Sequence, residues 1–118
     1  MVQVVSLTAH GRSAELEVGF ESGEVYRLPF EYLRVHSPSA EVQGHGPGQG
    51  TLQTGKRGVT LLAVEPVGHY AVKLVFSDGH DSGLYTWAWL HELGRNQATR
   101  WRQYLEALER SGASRDPS

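Results

Sequence analysis

The chain has 118 residues, no cysteine, and a formal charge of -2 from 11 basic and 13 acidic side chains. That length suits one domain burying roughly two-thirds of its unfolded surface, and the missing thiols exclude disulfides, thiol nucleophiles and thiolate metal sites. The charge balance lacks the basic excess that a run of phosphates demands, and no apolar run approaches the ~18 residues of a membrane span. No nucleic-acid or membrane partner and a cytoplasmic location are therefore expected.

In chain order, Val2 to Leu7 reads as a strand. Ala14, Leu16, Val18 and Phe20 then alternate with polar or small residues, the period-two pattern of a half-buried strand. Glu21-Ser22-Gly23 has hairpin chemistry, and Glu24 to Leu28 returns with Tyr26 and Leu28 on one side. Pro29 suits the first turn of a short helix over 29–34, since its missing N–H is not needed there. Glycine takes six of the fifteen positions from Gly44 to Gly58, which predicts a loop. Val59 to Val64 and His69 to Phe76 read as central strands, the second with Tyr70, Val72, Leu74 and Phe76 inward, and Asp78-Gly79 marks a turn. Thr86 is placed to cap a helix over 87–93, with Gly94 as its left-handed end. A second helix starts near Asn96 or Thr99, and Trp101, Tyr104, Leu105 and Leu108 form a stripe that must cover a sheet. No internal repeat stands out. Residues 1–110 are assigned to one domain and 111–118 to a flexible tail. The predicted class is α+β: a twisted, largely antiparallel sheet covered by C-terminal helices in two layers.

Several constellations carry chemistry on paper. Gly50 to Lys56 satisfies GxxxxGK, but a phosphate loop must open a helix and carry Ser or Thr after its lysine. Here Arg57 follows and a β-patterned run comes next, so Lys56 and Arg57 read as a solvated turn able to meet a partner. Ser37, Ser39 or Ser82 with His80 and Asp78 or Asp81 supplies the parts of a hydrolase triad without the strained elbow that presents a serine nucleophile. No histidine pair stands at i, i+4. His36, Glu41, His45 and His80 form an alternative nitrogen and oxygen metal set, weakened by its glycine-rich surroundings. Trp87 and Trp89, two apart on a helix, cannot both point inward, so one is expected to be exposed for a partner.

Two segments, L-R-V-H-S-P-S-A-E-V (Leu33 to Val42) and S-D-G-H-D-S-G-L-Y (Ser77 to Tyr85), with Pro66-Val67-Gly68-x-Tyr70-Ala71-Val72 between them, resemble the N-terminal domain of γ-butyrobetaine hydroxylase and its stand-alone bacterial relatives. The similarity runs from about Leu16 to Leu108. In zinc-binding members the first segment reads L-R-x-x-C-P-C-x-x-C and the second adds a histidine. The resemblance therefore implies that Ser37, Ser39, Val42 and His80 stand where metal ligands stood, clustered around a hydrogen-bonded His80 with no metal and no cofactor. In the hydroxylases this domain precedes an iron- and 2-oxoglutarate-dependent catalytic domain, which the chain is not expected to include. None of the six histidines has an acid two residues later, as a facial triad usually requires. A non-catalytic accessory or protein-docking module is expected, with Lys56, Arg57, Trp87 and Trp89 as its surface. The alternatives are metal handling linked to iron or iron-sulfur metabolism and, third, part of a hydroxylase-type enzyme system.

Overall fold

The computed structural model describes residues 2–43 and 50–117; His45, with the rest of 44–49, lies outside them. The elements run β1 (Val4–His10), β2 (Glu15–Phe20), β3 (Val25–Pro29), α1 (Phe30–Val35), α2 (Ala40–Gln43), β4 (Leu61–Val67), β5 (Ala71–Phe76), β6 (Leu84–Thr86), α3 (Trp87–Arg95) and α4 (Gln97–Ser111). The class is α+β, as the patterning predicts. The β-structure is divided into two three-stranded antiparallel sheets, ordered β1-β2-β3 and β4-β5-β6. The interruption has a local cause: Pro29 ends β3 and leads directly into α1, so the chain leaves the first sheet before it can add a fourth strand.

Alternation then builds the core. Leu16, Val18 and Phe20 from β2 meet Val72, Leu74 and Phe76 from β5, with Leu28, Tyr85 and residues of α1 and α3 closing the same cluster. Tyr70, expected to face inward, is exposed, because it belongs to the β4–β5 turn and its carbonyl accepts the Trp87 amide at 2.9 Å. Thr86 caps α3 by accepting the Trp89 N–H at 3.1 Å. Gly94 does not end that helix. It lies inside it, where a β-carbon would stand 2.3 Å from Cδ2 of Tyr26, so close packing explains the glycine.

Helix α4 does not cover a sheet with the whole of its stripe. Tyr104 and Leu108 join Val35 in a second, smaller cluster packed by Leu52 and Ala113, Trp101 touches both clusters, and Leu105 is exposed. The segment after Ser111, expected to fray, is held: Gly55 and Arg57 donate their amides to the carbonyls of Ser114 and Arg115, both at 2.9 Å. Among the described residues no helix is long and apolar enough to cross a membrane.

Candidate functional site

Helix α1 is buried on every residue, including Glu31 and Arg34, and it delivers the chain into the segment that carries Ser37 and Ser39. Opposite it, the turn after β5 carries Asp78 and His80. A positive φ of 90° at Gly79 closes that turn, with Gly79 N–H donating to Phe76 O at 3.1 Å and Asp78 Oδ1 accepting the His80 amide at 3.1 Å. The two segments meet in a hydrogen bond of 2.8 Å between Ser37 Oγ and His80 Nε2. The serine hydroxyl expected beside this histidine is thus in place. Ser39 joins through its amide, which donates to Ser37 Oγ at 3.3 Å, and Val42 is buried on the following turn, its amide bonded to Ser39 O.

Around this contact the charges are arranged in layers. Arg34 Nε donates to Asp78 Oδ2 at 2.8 Å, and Lys56 Nζ reaches the same oxygen at 2.6 Å. Partial burial works against ionisation of Asp78, but the bonds from Lys56, the His80 amide and Arg34 prevail and hold its pKa at about 2. Among the described residues Arg34 Nη1 is buried without a hydrogen-bond partner, and Asp78 is the one carboxylate this guanidinium bonds. Burial and the nearby Arg34 charge lower the pKa of His80, keeping the imidazole neutral. Glu41 Oε2 lies 3.5 Å from Nδ1, which favours the ring proton on that nitrogen and leaves Nε2 to accept from Ser37. Gly83 completes the packing, since a β-carbon there would stand 2.3 Å from Ser37 Oγ. Tyr85 donates to Leu33 O at 2.6 Å, and burial raises its hydroxyl pKa.

This arrangement limits the chemistry. Serine, histidine and a carboxylate stand in line, but Ser37 is 0% exposed, so its oxygen is not presented to a substrate. Neither aspartate weighed from the sequence bonds the ring: Asp78 accepts the backbone amide of His80, and Asp81 is an exposed residue. Zinc does not fit the residues present. Nε2 of His80 is taken by Ser37, Ser37 and Ser39 offer hydroxyls rather than thiolates, and Val42 offers no donor. The alternative set is not assembled either. Glu41 approaches His80, but His36 turns away to bond Tyr32 O at 3.0 Å through Nδ1 and packs between Tyr32 and Tyr104. Burial lowers the pKa of His36 as well. Among the described residues no group of three or more His, Cys, Asp or Glu side chains is placed to hold a metal ion.

The expected interaction residues are also engaged. Neither Trp87 nor Trp89 is exposed, which corrects the expectation of one open indole: helix register turns them apart, but each finds cover on a different side. Trp87 Nε1 donates to His69 O at 2.8 Å and Trp89 Nε1 to His36 O at 3.0 Å, with the Arg100 guanidinium 4.9 Å over the Trp89 ring. Lys56 is bound to Asp78 and Arg57 to Asp116. Sequence reasoning had Arg34 only as part of the L-R motif and missed its bond to Asp78, and it passed over Glu31 and Arg115, which pair with each other. The only available signal was the presence of two charges in a short, otherwise apolar helical turn.

A family model described as gamma-butyrobetaine hydroxylase-like, N-terminal matches residues 7–91. Two solution NMR structures are similar along the chain: one is 49% identical, covering 100% of this chain and 93% of that one, and the other is 48% identical, covering 99% and 87%, each with a TM-score of 0.86. A crystal structure of a protein of unknown function from Acidithiobacillus ferrooxidans, assigned to the DUF971 family, is 40% identical over 78% of this chain and 92% of that one, with a TM-score of 0.66. No curated protein matches the chain.

Proposed function

Because the chain belongs to the gamma-butyrobetaine hydroxylase-like, N-terminal family, we propose that it is a non-catalytic docking module, a small scaffold that holds another protein. The observation that carries this reading is the outer face of the second sheet. Cross-strand register places Ala63 beside Val75 and Glu65 beside Lys73 beside Leu84, all on the side away from the core. Leu62, pushed out by the bulge between Leu61 and Ala63, is 67% exposed, and Leu84 is 38% exposed. An antiparallel sheet normally turns a polar face to water. Here apolar side chains surround a single Glu65–Lys73 pair at 3.2 Å, the composition of an apolar contact centre with an oriented charge pair.

The partner fitting this face is a protein surface with a complementary apolar patch and one charge of each sign. The buried Ser37–His80 contact supports the same reading by leaving neither an open nucleophile nor a free metal ligand at Ser37 and His80. Affinity capture from the native cell with the unmodified chain, Leu84→Asp and Leu105→Asp tests it. A partner retained by Leu105→Asp and weakened tenfold or more by a folded Leu84→Asp is expected. Equal capture by all three chains removes the proposed face.

A further inference from the structure

Residues 114–117 lie on the domain as a ligand lies in a groove. Arg115 makes a bidentate pair with Glu31, Nε to Oε2 at 2.8 Å and Nη2 to Oε1 at 2.7 Å, and its guanidinium sits 5.0 Å over the Trp101 ring. Glu31 is 8% exposed by its side chain and belongs to the fully buried α1, so its carboxylate has little water to turn to. A planar fork with two parallel donors is what such a site selects. The groove's other wall gives main-chain donors, the amides of Gly55 and Arg57, which meet the carbonyls of Ser114 and Arg115. Arg57 adds a charge for Asp116.

The occupant contributes little else. Ser114, Asp116 and Pro117 are exposed, and the Arg57–Asp116 pair is solvated on both sides, the kind of ion pair that holds weakly. One arginine therefore anchors a short bent segment with no core of its own. We propose that Glu31, Trp101 and the amides of Gly55 and Arg57 form a peptide-recognition groove for a short arginine-acid segment of a partner protein, held in the resting chain by its own residues 114–117. The groove goes beyond the sheet face proposed for docking, and rests on the docking reading only in taking the competing segment from another protein.

The test is an NMR titration of the full chain carrying Arg115→Ala with a synthetic hexapeptide of the sequence of residues 113–118. Saturable shifts at the Gly55 and Arg57 amides and the Trp101 indole are expected. The affinity should be at least tenfold above that for the unmodified chain, whose tethered tail competes at roughly millimolar effective concentration. The same peptide with alanine in place of its arginine should bind at least tenfold more weakly. Equal response to both peptides, or no response from a folded variant, overturns the groove. Should Arg115→Ala fail to fold, Arg115→Lys keeps a cation beside Glu31 while losing the fork. It should then bind the arginine peptide more tightly than the unmodified chain does, and equal binding overturns the proposal. A negative titration leaves the sheet-face reading standing, because that face is tested separately through Leu84.

Discussion

The two halves of the molecule are built to one plan that their sequences conceal. In each, a bulged first strand pairs with a six-residue central strand, a third strand follows, and a helix begins at the next residue: β1-β2-β3-α1 and β4-β5-β6-α3. The central strands place Leu16, Val18 and Phe20 in one half where Val72, Leu74 and Phe76 stand in the other. Their turns match bond for bond. Phe20 N–H donates to Glu24 O at 2.9 Å and Phe76 N–H to His80 O at 3.0 Å; Gly23 and Gly79 both take positive φ. Ser22 Oγ accepts the Glu24 amide as Asp78 Oδ1 accepts that of His80. The halves also exchange contacts. Glu24 reaches His91 on α3 at 3.0 Å, while His80 reaches Ser37 just after α1.

The difference lies in what the equivalent turns carry. The first ends in an exposed carboxylate network of Ser22, Glu24 and Tyr26, and the second in a buried imidazole over an anchored aspartate. One backbone device thus serves a surface latch in one half and a polar core in the other. If the correspondence is energetic as well as geometric, Phe20→Ala and Phe76→Ala should each cost about 3 to 5 kcal/mol, since both rings are buried at the same place in the shared core. Urea melts differing between the two by more than ~2 kcal/mol would break the equivalence.

The exchanged contacts give the next largest effect. Gly94→Ala drives a methyl into the Tyr26 ring, and Gly83→Ala drives one into Ser37 Oγ, each at 2.3 Å. Overpacking of this kind costs about 1 to 3 kcal/mol, which for Gly94 must exceed the ~1 kcal/mol that alanine gains in a helix. Both variants should melt below the parent. A stabilised Gly94→Ala would mean that Tyr26 gives way and that the contact between halves is soft.

Much of this plan was legible one strand at a time. The period-two runs, the Ser22-Gly23 and Asp78-Gly79 turns and the Thr86 cap are local features, and local features survive in a single sequence. What failed to show was long-range. Arg34 finds Asp78 44 positions away and Arg115 finds Glu31 84 positions away, so two charges that pattern reads as surface, Arg34 and Glu31, are buried and paired with partly exposed partners. Equal turns made from Glu-Ser-Gly and Ser-Asp-Gly share only their glycine, which hid the repeat. At the site, the resemblance pointed to His80, its serine neighbour and, within the L-R of its first segment, Arg34, but it carried no sign of the Arg34–Asp78 pairing or of the cover over Trp87 and Trp89.

Acid sharpens the contrast between the two turns. The folded pKa of Asp78 is depressed from 3.8 to about 2, so its contribution is fully present above the unfolded value and is lost as pH falls through the folded one. Allowing for solvent around a partly exposed carboxylate, about 1 kcal/mol is at stake. The stability difference between the parent and Asp78→Asn should stay level above about pH 5 and shrink toward pH 2. The histidines move stability in a different window. His80 and His36 have lowered pKa values, so below 6.5 the unfolded chain binds protons first and stability declines as pH falls through that range. A difference between the parent and Asp78→Asn that stayed flat to pH 2 would detach Asp78 from the fold.

The smallest effect belongs to the longer of the two elements outside the repeated plan, α2 and α4. Helix α4 has 15 residues where the helix after α1, α2, has 4, and its stripe splits: Tyr104 and Leu108 are buried against Val35 and Leu52, while Leu105 is 39% exposed. Sequence periodicity treats the three alike because they share one side of a helical wheel. A helix lying against a loop and the end of α1 has a narrower contact than one lying on a sheet, and the stripe's edge is left to solvent. Leu105→Ala should therefore cost about 0.5 kcal/mol, near the range of surface substitutions, against about 2 to 5 kcal/mol for Leu108→Ala. Melts that ranked Leu105 equal to Leu108 would place α4 across a broader apolar surface than the second cluster provides, and would draw this helix into the core that the two halves share.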